Sequence, residues 1–351
     1  MSNIDFTHEG CAMLQRISPA DHFRMGLAFA LTSALCFGLS GPFAKSLMVA
    51  GWSPTAAVTA RLFGGAVVMA VVATAVNPSW LGEARAHART IVLYGLFPIA
   101  GAQLCFYNGV KHLSVGVALL LEYTAPVLVV AWLWARTRRR PGTRTLAGVA
   151  MAIIGITVVL DVFHGASINA IGVAWGLGAA VCAASYFMMS DISDTTAAGT
   201  PLSPITLAAG GLWVGAAGVG LLGLTGVMPL TVTADDVLLA GATLPPAVAV
   251  AALAILSTAV AYTLGIVGVA LLKPGFASLL GLSEVLFAVL WAWLLVGEAL
   301  STTQVIGGAV VLAGLALARP GDRRGEPPAG TGAATEARGP QTSAKLAARS
   351  G

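Results

Sequence analysis

Residues 118–140 read "ALLLEYTAPVLVVAWLWARTRRR". The stretch is apolar for long enough to cross a bilayer, holds one carboxylate, Glu122, and one proline, Pro126, and closes on arginines. Extended by Arg144, that ending carries Arg136, Arg138, Arg139, Arg140 and Arg144. An apolar helix stopped by a cluster of cations is the signature of a membrane span ending at a cytoplasmic face. The question it leaves is why an acid should stand in its middle.

The whole chain agrees with this reading. Hydrophobic residues are 57% and charged residues 10%, against roughly 25% charged in soluble domains, and mean hydropathy is +0.85. The solvent for most of this surface is lipid. Apolar runs near 25–49, 54–76, 91–110, 114–135, 145–160, 170–190, 204–227, 246–271, 275–297 and 303–318 predict ten transmembrane helices. They are too long and too unalternating for barrel strands, so the expected fold is an all-α integral membrane protein.

Lys and Arg orient it. With the N-terminus inside, the inner segments hold Arg16, Arg24, Arg85, Arg89, the five-arginine loop and Lys273, while the outer ones hold Lys45 and Lys111. The bias predicts both termini cytoplasmic. The first residues, with Asp5, Glu9 and Arg16, have no apolar core, so the first span is expected to be retained rather than cleaved. Residues 319–351, rich in Gly, Pro, Ala and Thr, read as a disordered cytoplasmic tail.

The chain also contains itself twice. Shifted by 159, "LSVGVALLLEYTAPVLVVAWLW" from Leu113 lies on "LKPGFASLLGLSEVLFAVLWAW" from Leu272, pairing Trp132 with Trp291 and Trp134 with Trp293. The register continues to pair Gly148 with Gly307 and Gly155 with Gly314. A shift of 146 lays Gly26 and Cys36 on Gly172 and Cys182. The expected organisation is an N-terminal segment 1–23, a five-helix repeat 24–161, a second repeat 162–318 and the tail. Five spans per half is odd, so the halves have opposite topology, the arrangement from which alternating access follows.

Several residues depart from the apolar background. Glu122 lies about nine residues into its span, near the midplane at ~1.5 Å per residue, where an acid costs on the order of 3 kcal/mol. That is tolerable if it faces a polar cavity, pairs or stays protonated. Pro126 cannot donate to the carbonyl of residue 122, so a helix break is expected beside the acid. Glu284 is the acid of the equivalent helix in the second half. Arg61, in span two, reads either as a cation for an acid or a substrate carboxylate, or as one that snorkels to the interface. Gln103, Tyr107 and Asn108 in span three, Tyr123 beside Glu122, and Ser185, Tyr186 and Tyr262 in the second half are candidate cavity residues; the alternative for each is hydrogen-bonded helix packing. Lys45 and its counterpart Asp191 read as topology or gate residues, and Glu298 as a solvated acid at a span end.

Absences narrow the class. No GxxxxGK[ST] loop is present, which argues against an ATP-driven pump. Cys11, Cys36, Cys105 and Cys182 lack CxxC spacing, and no nucleophile–base pair or metal-ligand cluster stands out, so neither an enzyme nor a cofactor or metal is expected. The net charge of +4 sits mostly in topology signals, not in a nucleic-acid surface.

The ten short spans, the fourth with Pro126, and "LLVGEALSTTQVIGGAVVLAGLALA" from Leu294 resemble the drug/metabolite transporter superfamily, EamA branch. "ALLLEYTAPVLV" is similar to its threonine/homoserine exporter group, and "LCFGLSGPFAKSL" and "PTAAVTARLFGGA" resemble the family's first two spans. The pattern departs from strict symmetry: Val285 stands opposite Pro126, and no cation stands near Gly211 opposite Arg61. The resemblance implies export of amino acids or similar small polar metabolites across a bacterial inner membrane. Export of nucleosides, purines or drug-like cations, as elsewhere in that superfamily, stays open. So do proton coupling and a monomer or homodimer state. A lipid-acting membrane enzyme and a non-transporting scaffold are the readings of another class.

Overall fold

The computed structural model describes residues 19–138, 140–159, 169–193, 202–272 and 283–318. The N-terminal segment up to 18, the tail, Lys273 and the start of the ninth span at 275 lie outside these residues, as do the side chains of Pro126, Tyr186 and Asp191.

The described residues form ten apolar helical segments, with a short helix, Trp80–Ala86, between the second and third. Six meet the length and apolarity of a membrane crossing: Asp21–Val49, Pro54–Val76, Ala88–His112, Val115–Arg136, Pro204–Leu224 and Pro246–Gly268. These are the first, second, third, fourth, seventh and eighth helices. The fifth (Thr143–Val159), sixth (Ala170–Ser193), ninth (Ser283–Val296) and tenth (Thr302–Ala318) carry shorter apolar stretches. Large apolar side chains such as Val71 and Leu224 face outward, as they do where lipid is the solvent. Helix starts follow local chemistry. Ser53 precedes Pro54 and accepts the Ala56 amide, and Ser114 likewise accepts the Val117 amide.

Four of the long helices are irregular at mid-length, and each irregularity matters to the interior. The first is interrupted at Leu39, where Pro42 cannot bond the Gly38 carbonyl. The fourth is interrupted at Tyr123–Thr124, between Val115–Glu122 and Ala125–Thr137, with the Thr124 amide and hydroxyl both on the Leu121 carbonyl. The third widens into a π-helix over Gly95–Gly101 around Pro98, and the eighth over Ile255–Val260, where the Thr258 hydroxyl bonds the Leu253 carbonyl. The two π segments sit at the same register under the 159-residue shift, although only one contains a proline.

The packing pairs the first helix with the eighth, the third with the sixth, the second with the seventh and the fifth with the tenth, while the fourth lies chiefly on the sixth and the ninth on the first. Glycines permit the closest crossings. A Cβ on Gly155 would stand 2.7 Å from the Val311 nitrogen and 2.8 Å from the Gly307 oxygen. A Cβ on Gly314 would stand 2.6 Å from the Ala152 nitrogen and 2.7 Å from the Gly148 oxygen. Each contact is the other's counterpart under the same shift. Gly64 lies against Ala254 on one side, and Gly95 against Val214 on the other.

A two-stranded hairpin, Val237–Leu239 with Ala242–Leu244, stands between the seventh and eighth helices. Its turn, Ala240–Gly241, has positive φ at both residues, the geometry that suits a tight hairpin. The Ala240 amide donates to the Leu295 carbonyl at 2.8 Å, fixing the hairpin to the end of the ninth helix. This element was not anticipated, because three-residue strands are below what alternation can signal.

Candidate functional site

Arg61 is the organising residue. Its side chain is 1% exposed, so the snorkelling alternative is overturned: it turns inward. Its Nε donates to Thr258 Oγ1 at 3.0 Å and one terminal nitrogen to the Ser257 carbonyl at 3.0 Å. The other terminal nitrogen donates to Ser40 Oγ, to Gln103 Oε1 and, at 3.2 Å, to Tyr107 Oη. Ser40 and Tyr107 are themselves 3.1 Å apart. The helix irregularities make this possible. The break in the first helix brings Ser40 in, and the widened turn of the eighth turns the Ser257 carbonyl toward the guanidinium. A planar fork of donors is satisfied by three helices, the first, third and eighth, which a lysine could not reproduce.

Beside this network lies a cavity of about 40 Å³. Its polar wall is Arg61, Gln103, Ser40, Glu122 and Glu284; Phe37, Phe106 and Leu119 supply apolar wall. One acid from each half and the buried cation therefore share one chamber. Glu122 enters it as the last residue before the break in the fourth helix. Tyr123, in the break, donates its hydroxyl to Glu284 Oε2 at 2.9 Å and ties the two acid-bearing helices together. In this conformation the chamber has room for water rather than an amino acid.

The other expected residues divide. Tyr107 belongs to the Arg61 network. Tyr262 stacks edge-on with Phe37, a chamber residue, at 5.1 Å. Asn108 is buried and donates to the Leu104 carbonyl of its own helix at 2.8 Å, and Ser185 bonds the Cys182 carbonyl; neither lines the chamber. Ser40, Ser257 and Thr258 were missed. They are small hydroxyl residues in apolar runs, and the signal that could have found them was the need of a buried arginine for acceptors.

Among the described residues, two polar clusters stand outside the chamber. At one end, Lys45 pairs with Glu298 at 3.1 Å, so Glu298 is more than a solvated acid. In the same region Ser53 and Thr231 exchange hydrogen bonds and Trp52 Nε1 donates to the Thr233 carbonyl at 3.0 Å. In the other, Glu83 of the short helix accepts from the Ser203 amide, from Thr206 Oγ1 at 2.8 Å and from Asn77 Nδ2 at 2.6 Å, holding the start of the seventh helix. Partial burial pushes the Glu83 carboxyl up, but these donors together outweigh it and hold it below the ordinary carboxylate value. The folded form therefore gains stability above the unfolded-state value and loses it as pH falls through the depressed one. Glu83→Gln should lower thermal stability at neutral pH, where the ionised carboxylate contributes, and leave the acid end nearly unchanged, so that the profile flattens; a variant with the wild-type pH profile would show that the cluster carries no linkage.

Comparison with known proteins places these features. A model of the EamA-like transporter family matches residues 24–161 and again 170–319. The chain is 28% identical over 239 residues to the threonine/homoserine exporter RhtA of Salmonella typhimurium LT2, covering 68% of this chain and 73% of that protein. The Escherichia coli K12 RhtA is 28% identical over 245 residues, with 68% and 74% covered. YicL of Salmonella typhimurium LT2, an uncharacterized inner membrane transporter, is 25% identical over 170 residues, with 46% and 56% covered. A solved crystal structure superposes with a TM-score of 0.52 at 20% identity, over 86% of this chain and 97% of its own, a likeness of fold.

Proposed function

The chain belongs to the EamA-like transporter family and is a multi-pass membrane protein; from that premise we propose that it exports small polar metabolites, amino acids first, by proton-coupled alternating access. The observation that carries the proposal is the shared chamber: Glu122, Glu284 and Arg61 meet at the break in the fourth helix. An α-amino acid brings one ammonium and one carboxylate, and the chamber offers two acids and one guanidinium. A broken helix beside a mid-membrane site is a recurrent way to expose backbone acceptors to a solute. The similarity to threonine/homoserine exporters supports the amino-acid class.

The mirrored helix pairs, the two π segments in one register and the reciprocal crossing of Gly155 and Gly314 support two five-helix repeats of opposite topology. In that reading the Lys45 end is periplasmic, the Glu83 end and both termini are cytoplasmic, and the membrane is the bacterial inner one. Admission of a solute requires the two halves to part on one side, since the chamber here is small.

Glu122 is the proton site in this scheme, and Glu284 and Arg61 hold the solute. Reconstituted into proteoliposomes loaded with labelled threonine, Glu122→Gln should insert normally and conduct without responding to a pH gradient. Glu284→Gln should instead lower flux at every pH. Full pH-sensitive flux through Glu122→Gln sinks the assignment.

A further inference from the structure

A second cavity, about 410 Å³, lies at the Lys45 end, away from the chamber. Its wall is the end of the first helix (Lys45, Ser46, Val49), the hairpin (Leu238) and the end of the ninth helix (Trp293, Glu298). It is the larger space of the two, and the one that accommodates a small solute in this conformation.

Its chemistry is specific. Lys45 Nζ and Glu298 Oε1 are 3.1 Å apart, and each side chain is 24% exposed, so the pair is reachable. Each charge is held by a helix end. Lys45 also donates to the carbonyls of Val110 at 3.0 Å and Leu113 at 3.3 Å, at the close of the third helix. Glu298 Oε2 accepts the Val115 amide at 2.9 Å, at the start of the fourth. Both placements complement the helix dipole. The two charges are therefore fixed independently and remain in place when the contact between them is interrupted. A solute that presents a carboxylate to Lys45 and an ammonium to Glu298 can stand in for that contact. An α-amino acid carries both groups on one carbon, which suits two protein charges already in contact. A phosphoethanolamine lipid head holds its charges an ethylene unit further apart and fits less well. Val49, Leu238 and Trp293 offer apolar surface to a short side chain.

We propose that this cavity is a second binding site, for a zwitterionic α-amino acid, whose carboxylate takes Lys45 and whose ammonium takes Glu298. Occupancy replaces the direct ion pair between the end of the first helix and that of the ninth with a solute bridge, while the Lys45 bonds to the third helix and the Glu298 bond to the fourth stay in place. The inference rests on the amino-acid reading of the transported solute, and it adds a site which that reading does not need.

Trp293 in the wall supplies the measurement. The emission difference between wild type and Trp293→Phe, in lipid-free detergent micelles, is followed during titration with L-threonine, butyrate, butylamine and phosphatidylethanolamine. The expected result is a saturable change with threonine and none with the two singly charged probes. Lys45→Ala and Glu298→Gln, each read against its own Trp293→Phe double variant, should raise the half-saturating concentration tenfold or more. Lys45→Arg, which keeps a cation against the Val110 and Leu113 carbonyls, should keep a saturable response and shows that the single variants lost a site rather than a fold. The proposal is overturned by no saturable change with threonine, by an unaltered response in Lys45→Ala and Glu298→Gln, or by a response to phosphatidylethanolamine alone. Threonine flux without the Trp293 response removes this site and spares the carrier; the response without flux in proteoliposomes removes the carrier and spares this site.

Discussion

Arg61→Ala is expected to give a protein that unfolds far below the wild type in detergent and carries no measurable flux. The guanidinium is buried among the first, third and eighth helices, and it satisfies the Thr258 hydroxyl, the Ser257 carbonyl and the Gln103 carbonyl at once. Its removal strands acceptors in a low-dielectric interior, each at about 1–3 kcal/mol, and leaves Glu122 and Glu284 in the chamber without the cation that faces them. Losing one partner of a buried charged network costs about 3–5 kcal/mol, a large share of a typical stability. Arg61→Lys is the discriminating control. It keeps the charge but offers a point of three donors in place of a planar fork, so partial recovery of thermal stability with poor flux is expected. Fluorescence-detected size-exclusion after a temperature series measures the stability of each variant, and uptake by proteoliposomes its flux. Wild-type unfolding temperature in Arg61→Ala would show that the network contributes nothing to the fold.

Gly314→Leu should be the next most damaging change, although it lies on a helix with no polar residue of the chamber. Its Cβ alone would stand 2.6 Å from the Ala152 nitrogen and 2.7 Å from the Gly148 oxygen, which are backbone atoms that cannot rotate away. The fifth and tenth helices would have to separate along their crossing. In lipid no hydrophobic force restores such a contact, since acyl chains solvate the separated faces equally well. What the separation loses is van der Waals packing along the crossing, and the overpacking cost of about 1–3 kcal/mol in soluble cores is the guide to it. Gly155→Leu meets the Val311 nitrogen and the Gly307 oxygen and should behave alike. Leu317→Ala, at an exposed position on the same tenth helix, should change little. Equal unfolding temperatures for Gly314→Leu and Leu317→Ala would contradict the tight crossing.

Local pattern carries some features of this molecule and not others. A long apolar run is a property of consecutive residues, so the membrane-spanning character and the family could be read directly. The proline logic at residue 126 likewise needs only positions 122 and 126, and the fourth helix is interrupted at Tyr123–Thr124. Burial partners are not local. Arg61 lies in a run whose neighbours are Ala, Leu and Phe, and nothing along that run says whether its cation turns outward or in. Its acceptors come from residues 21, 42 and nearly 200 positions away. Asn108 and Ser185 show the reverse limit: polar side chains inside spans that spend their donors on their own helices.

Sequence by itself determined the lipid-facing composition, the spacing of the apolar runs and the presence of one acid in each matching helix, because those follow from transfer free energy and from counting. Only the tertiary structure decided that Glu122, Glu284 and Arg61 share one chamber, that Lys45 finds Glu298, and that two π segments face the interior. Those outcomes depend on how helices rotate about their axes and where they cross. Side-chain shape and close backbone approach, summed over distant pairs, set both.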